Sequence, residues 1–214
     1  MRTRGRFITL EGGEGAGKSG HAARLAEWLK GEGIDVLLTR EPGGSPHAEA
    51  LREMLLSGRF AAQGAETEAL VFALARADHL ATRIRPALDA GTWVICDRFM
   101  DSTRAYQGTA GVAGGLLDLI DAIVVGNDRP DLTLVLDVPA AEGLGRARKS
   151  KPTPDRFESD GVALHEARRQ AFLDIARREP KRCVVIDATR DKVEVAEAIR
   201  DAVAKRLTPG RSTS

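Results

Sequence analysis

The sequence predicts an α/β fold, with a five-stranded parallel sheet flanked by helices. Three observations predict it. Five short runs, Phe7–Leu10, Val36–Thr39, Trp93–Asp97, Leu132–Asp137 and Cys183–Asp187, are apolar or β-branched almost throughout, which suits strands buried on both faces. The segments between them are long enough for crossover helices, which parallel neighbours require. The first run also leads straight into a glycine-rich turn and then an amphipathic segment, the order of a βα unit.

The helical segments follow the same logic. Lys18–Lys30 places Ala22, Leu25, Ala26 and Leu29 on one face before Gly31, a stripe and a stop signal together. Glu66–Ala90 is a longer pattern, with Pro86 as a kink or break because proline lacks the N–H that continues the ladder. Val162–Arg178 and Lys192–Leu207 read as amphipathic helices. Between helical patterns lies the charged stretch 146–161, RARKSKPTPDRFESDG; it is open to two readings, a surface loop or a mobile lid over a bound nucleotide. Residues 1–207 form one expected domain, and 208–214, TPGRSTS, an expected frayed tail.

Composition narrows the classes. Of 214 residues, 43% are hydrophobic and 29% charged, as in a soluble globular domain. Thirty-two basic and 31 acidic side chains leave a net charge of +1, which argues against a dedicated nucleic-acid binder. The two cysteines, Cys96 and Cys183, sit in separate apolar strands and are expected to be buried thiols rather than a disulfide or metal site. No apolar run reaches the ~18–20 residues of a membrane helix, and the N-terminus lacks a signal peptide's apolar stretch. No membrane or nucleic-acid partner is expected, and the compartment expected is the cytoplasm.

Residues 12–19, GGEGAGKS, match G-x-x-x-x-G-K-[ST] in full, after a strand and before a helix. Gly12, Gly13, Glu14, Gly15, Ala16, Gly17, Lys18 and Ser19 are therefore the expected cradle for ATP phosphates, with backbone N–H groups turned inward. Lys18 would reach the β- and γ-phosphates and Ser19 would ligate Mg²⁺. A chance glycine turn ahead of a helix is the alternative, but motif and context agree on a P-loop NTPase fold. No N-K-x-D motif is present, and NDRP at 127–130 does not replace it, so a switch GTPase is excluded.

The third strand ends in Asp97 and Arg98, where ligands of open α/β sheets bind. Asp97 is placed to hold water on Mg²⁺, and Arg98 to clamp an acceptor phosphate; an ion pair neutralising itself is the bland alternative. TREPGG follows the second strand and brings Arg40 and Glu41 towards the same crevice. Phe72 and Arg76 stand i, i+4 on one helix, offering a stacking surface and a donor fork, although a helical phenylalanine is more often core.

Together EGGEGAGKS, TREPGG, EALVFALARADH, DRFMDSTRAYQG and RARKSKPTPDRFE resemble, in order and spacing, the thymidylate kinase family of P-loop nucleoside monophosphate kinases. The type resembled is the bacterial one that carries catalytic arginines in the lid. The resemblance runs from Phe7 to about residue 205. It implies transfer of the ATP γ-phosphoryl group to dTMP, giving dTDP for dTTP biosynthesis, with Mg²⁺ and a homodimeric protein. It also implies site roles. Glu14 resembles the acidic residue near the acceptor's 3′-hydroxyl and phosphate. Arg98 resembles the arginine gripping the dTMP phosphate, with Arg40 assisting. Phe72 resembles the ring stacked on thymine, and Arg76 the donor to its carbonyl. Thr103 and Gln107 lie at the base edge, and Tyr106 under the deoxyribose. Arg146 and Arg148 are the lid arginines implied for catalysis, with Lys149, Lys151 and Arg156 also available. Asp155 and Glu158 are either acceptor contacts or solvated lid charges. Asp78 stands where the family often has glutamine.

An acceptor phosphate is already anionic at neutral pH, so no strong general base is needed. That agrees with His21, His47, His79 and His165 lying outside the motifs, as surface or supporting residues. Two other classes remain at this point. One is a kinase for a different nucleoside monophosphate; the other is a P-loop regulatory or binding module acting through a partner.

Overall fold

The computed structural model describes residues 3–150, 156, 157 and 159–207, the side chain of Ser150 excepted. Strands β1 (Phe7–Glu11), β2 (Val36–Arg40), β3 (Trp93–Asp97), β4 (Leu132–Asp137) and β5 (Cys183–Asp187) form one parallel sheet in the order β2-β3-β1-β4-β5. Register is fixed by pairs such as Thr9 with Cys96 and Leu10 with Leu134. The strands match the expected runs, with Glu11 and Arg40 each added at a C-terminal end.

Successive side chains of a strand point to opposite faces, and the sheet uses both. On one face, Ile8, Leu10, Leu132 and Leu134 pack with Leu25 and Leu29 of α1 (Lys18–Gly31) and Ile199 and Val203 of α9 (Lys192–Leu207). On the other, Phe7, Val94 and Cys96 meet Leu80, Ile84 and Leu88. That face also takes α5 (Met100–Thr109) and α8 (Val162–Arg178), through Ala105, Phe172 and Ile175. The remaining helices are α2 (Pro46–Leu56), α3 (Ala65–His79), α4 (Arg85–Asp89), α6 (Gly114–Val124) and α7 (Ala140–Ser150).

Helix α1 ends at Gly31, as expected. The left-handed residue after it is Gly33, φ 78°, and the Gly33 and Ile34 N–H groups bond back to Lys30 and Leu29, a paired cap that satisfies the last carbonyls. The long helix does not break at Pro86. A π-helical turn, Leu80–Ile84, joins α3 to α4, and Pro86 sits in the first turn of α4; the wider turn rearranges the ladder just before the residue that cannot donate. Of the stretch 146–161, the residues up to Ser150 belong to α7, and α8 begins at Val162. Lys151 and Asp155, like Glu158 further on, lie outside the described residues.

Both cysteines are buried and free, and burial raises both thiols, Cys183 to about 12. No described helix is long and apolar enough to cross a membrane.

Candidate active site

The order of the sheet decides where the site lies. The connection from β1 passes to β2 on one side, whereas β4 pairs with β1 on the other, so β1 stands at a topological switch point, whose carboxyl end opens a crevice. A cavity of about 530 Å³ occupies it, between the loop after β1, the β3 end, α3 and α5.

The loop after β1 makes the phosphate cradle. At Gly15, φ 68°, a Cβ would lie 1.9 Å from the Gly143 carbonyl oxygen of α7, so only glycine permits both the turn and the close passage. Lys18 is buried and its Nζ donates to the Gly12 and Gly13 carbonyls at 3.0 and 2.7 Å. Burial, then the charge of Arg98, lowers the Lys18 ammonium to about 8. The Ser19 hydroxyl donates to the Asp97 carboxylate, and the other Asp97 oxygen, Oδ1, is buried without a hydrogen-bond partner.

Next to the cradle stands an arginine held in an unusual backbone conformation. Arg98 has φ 68°, a conformation that costs energy for a residue with a Cβ and clusters at functional sites. Its guanidinium donates to Glu14 at 2.7 Å, to Ser102 at 3.3 Å and to the Gly12 carbonyl at 3.4 Å. The Tyr106 hydroxyl donates to the same Glu14 oxygen at 2.5 Å. Burial opposes charge on Glu14, but Arg98, Lys18 and the Tyr106 bond outweigh it and hold the carboxyl at about 2. Beneath this group the wholly buried Glu11 accepts the Phe99 N–H at 2.8 Å and the Ser102 hydroxyl at 2.6 Å. Burial, then Asp101, raises Glu11 to about 7.

The far wall is aromatic with one buried cation. Arg76 is 2% exposed; it donates to Glu41 at 2.8 Å and to Thr103 at 3.0 Å, and lies 4.0 Å from Asp121. Its Nη1, the atom that faces Asp121, is buried without a hydrogen-bond partner. Glu41 is fixed in turn by His79, whose Nδ1 lies 3.1 Å away, while Nε2 lies 2.8 Å from Thr39. Phe72, Tyr106 and Gln107 line the same cavity. Phe157 stands among the rings, 6.3 Å from Phe72 and 5.9 Å from Tyr106 between centroids.

The structure thus brings Glu14, Gly15, Gly17, Lys18, Ser19, Arg40, Phe72, Arg76, Asp97, Arg98, Thr103, Tyr106 and Gln107 around one space. Gly12 joins them through its carbonyl, and Gly13 likewise; Ala16 is buried behind the loop. Thr103 serves the wall by fixing Arg76. Arg40 lines the cavity but pairs with Glu49 at 3.2 Å. Arg146, one of the lid arginines the resemblance implies, has its guanidinium on the Ala188 and Thr189 carbonyls at 2.7 and 3.3 Å and on Glu142 at 2.5 Å, and it does not line the cavity. Arg148 is exposed and does not line the cavity. Asp78 also lies off the cavity, accepting the Ser45 hydroxyl at 2.6 Å and pairing with exposed His47.

Sequence reasoning missed Ser102, Arg52 and Phe157, all in the lining. Phe157 had a signal, an aromatic ring amid lid charges; Arg52 had none. Arg156, beside it, reaches buried Glu68 on α3, a lid contact that no motif announces.

A glycine cradle at the switch point, an acidic strand end beside it and an aromatic wall with two arginines define a P-loop phosphotransferase acting on a small nucleotide. Comparisons with known proteins agree. Residues 10–199 match the family model described as thymidylate kinase. Thymidylate kinases of Bradyrhizobium sp. (strain ORS 278) and Afipia carboxidovorans are each 53% identical over 207 residues, 95% of this chain and 92% and 91% of theirs. The crystal structure of thymidylate kinase from Ehrlichia chaffeensis superposes with a TM-score of 0.74 at 34% identity, covering 94% of this chain and 99% of that one. The chain belongs to the thymidylate kinase family.

Proposed function

We propose that the chain transfers the γ-phosphoryl group of ATP to dTMP, giving ADP and dTDP for dTTP biosynthesis. The observation that carries the acceptor assignment is the wall formed by Phe72, Arg76, Tyr106 and Arg98 beside the phosphate loop. The two aromatic rings suit a base and a sugar, and buried Arg76 suits a base carbonyl. Arg98, beside the cradle, suits the acceptor phosphate.

The proposed division of work follows from those placements. Gly12–Ser19 backbone groups and Lys18 hold the donor phosphates, for which the ammonium must leave the Gly12 and Gly13 carbonyls. Arg98 orients the acceptor phosphate in line with the donor, which is most of what phosphoryl transfer asks of a protein. Glu14, ionised throughout the working range, keeps Arg98 and Tyr106 in register. Arg148 and Arg156 are the described lid cations we assign to closing over the transfer and excluding water; Arg146 we assign to bracing α7 against the β5 end.

The donor set fits Mg²⁺. Ser19 and the unpartnered oxygen of Asp97 are hard oxygen ligands, and the described residues hold no group of three or more acidic, histidine or cysteine side chains that would suit a softer metal. Mg²⁺ commonly binds through one or two such oxygens, waters and substrate phosphates. When bound there, it supplies charge neutralisation at the β- and γ-phosphates.

We further propose a homodimer. Neighbouring helices α3 and α6 expose Leu70 and Leu74, at 54% and 60%, and Leu119 and Ile123, at 56% and 74%, more apolar side chain than a free surface usually gathers. ATP and nucleoside monophosphates are cytoplasmic metabolites, which makes the cytoplasm the proposed compartment.

A coupled ADP-release assay with ATP and Mg²⁺ tests the activity, offering dTMP, dUMP, dCMP, dGMP, AMP and UMP separately. Turnover with dTMP, and dUMP trailing, is expected. Faster turnover with another monophosphate would move the acceptor assignment, and none at all would favour a regulatory module.

A further inference from the structure

Arg168 belongs to none of the motifs, yet it is 4% exposed, and a charge so buried must be compensated locally. Its guanidinium carbon lies 4.5 Å from the centroid of the Tyr106 ring. Nη2 donates to Asp160 at 2.5 Å and Nη1 to the Phe157 carbonyl at 3.3 Å. Nε is buried without a hydrogen-bond partner. One side chain therefore touches the ring assigned to the sugar and both anchors of the segment that ends the lid. Phe157 closes the circuit by packing edge-on against Tyr106.

Packing alone does not call for an arginine here. A methionine or leucine would fill a helix–helix contact without desolvating a charge, and such replacements are often neutral or stabilising. A guanidinium adds two things those residues lack: a planar cation over an aromatic face and fixed donors in its plane. Tyr106 already carries the Arg98 guanidinium at 5.2 Å and donates to Glu14, so its position is set from several directions at once.

We propose that Arg168 is a positioning residue of the acceptor subsite. It holds the Tyr106 ring in place for the deoxyribose and couples that hold to seating of the lid end through Phe157 and Asp160. This rests on the acceptor assignment made above. Arg168 does not line the cavity, so its effect reaches substrate through Tyr106.

The test compares wild type with Arg168→Met, Arg168→Lys and Asp160→Asn, measuring kcat and KM for dTMP and for ATP, and dTMP affinity by calorimetry. Arg168→Met is expected to raise KM for dTMP about tenfold while KM for ATP stays within about twofold. Arg168→Lys, which keeps charge but not the plane, should fall nearer Arg168→Met than wild type. Asp160→Asn sits at a partly exposed position and should weaken dTMP in the same direction; it keeps the question decidable if Arg168→Met does not fold. The preference for dTMP over ribothymidine 5′-monophosphate should narrow in all three. Wild-type KM for dTMP in Arg168→Lys and Asp160→Asn, or equal shifts for dTMP and ATP, would overturn the proposal. Absence of dTMP turnover by wild type would overturn the acceptor assignment, and this proposal with it.

Discussion

At the scale of single residues, the site is a set of charges that hold one another until a nucleotide takes their place. Lys18 bonds two loop carbonyls, and Arg98 bonds Glu14; in the proposed function phosphates displace the first and share the second. The lowered Lys18 ammonium, at about 8, gives this a pH signature. Only the charged form attracts phosphate, so ATP affinity should fall as pH rises through about 8, and bound phosphate should delay the loss in the complex. Calorimetric ATP affinity between pH 7 and 10 checks it, with Lys18→Arg, whose guanidinium does not titrate there, expected to lack the decline. A flat wild-type profile would contradict it. Glu14 at about 2 keeps its charge over the same range and adds no limb. Folding declines with pH in an earlier window at Glu11: its carboxyl is raised from 4.5 to about 7, so the folded state binds the extra proton and loses stability as pH climbs through that window.

At the scale of elements, legibility tracked what each element faces. The central strands β3, β1 and β4 are readable to within a residue because burial on both faces demands unbroken apolarity, and the part-exposed edge strands β2 and β5 keep similar apolar or β-branched runs. Helix α5 carries no such stripe: its buried side includes Asp101, Thr103 and Gln107, since it looks onto polar crevice and ion pairs rather than hydrocarbon. Helix α7 carries two glycines, Gly143 and Gly145. Gly143 is there for the loop it passes: a Cβ on it would lie 2.3 Å from the Glu14 carbonyl oxygen. Gly143→Ala, outside any nucleotide motif, should therefore raise KM for ATP by about tenfold or more while Gly145→Ala, with open space around it, leaves it unchanged. Comparable KM values for both variants would show that the loop and α7 yield without consequence. The candidate site was readable where a motif fixed residues in sequence, as at GGEGAGKS and DRF. It was not readable where partners converge from distant segments, as when Glu41 and His79 lock Arg76.

At the scale of the whole molecule, the carboxyl ends of the central strands gather the candidate site, and two apolar helix faces stay exposed where the homodimer is proposed. Light scattering after gel filtration should give twice the chain mass for wild type. A single charge in the proposed interface, Leu74→Glu or Ile123→Glu, should give the monomer, because burying an unpaired carboxylate is costly. A wild-type monomer at micromolar concentration would remove the dimer proposal without touching the site.

The most direct measurement is a competition. Equal concentrations of dTMP, dUMP, dCMP, dGMP, AMP and UMP are mixed with limiting ATP, Mg²⁺ and the protein, and the nucleoside diphosphates formed are identified by mass spectrometry. If the Phe72, Arg76, Tyr106 and Arg98 wall reads thymine and deoxyribose, dTDP is the dominant product beside ADP. A different diphosphate in excess, or ADP with free phosphate alone, would contradict it.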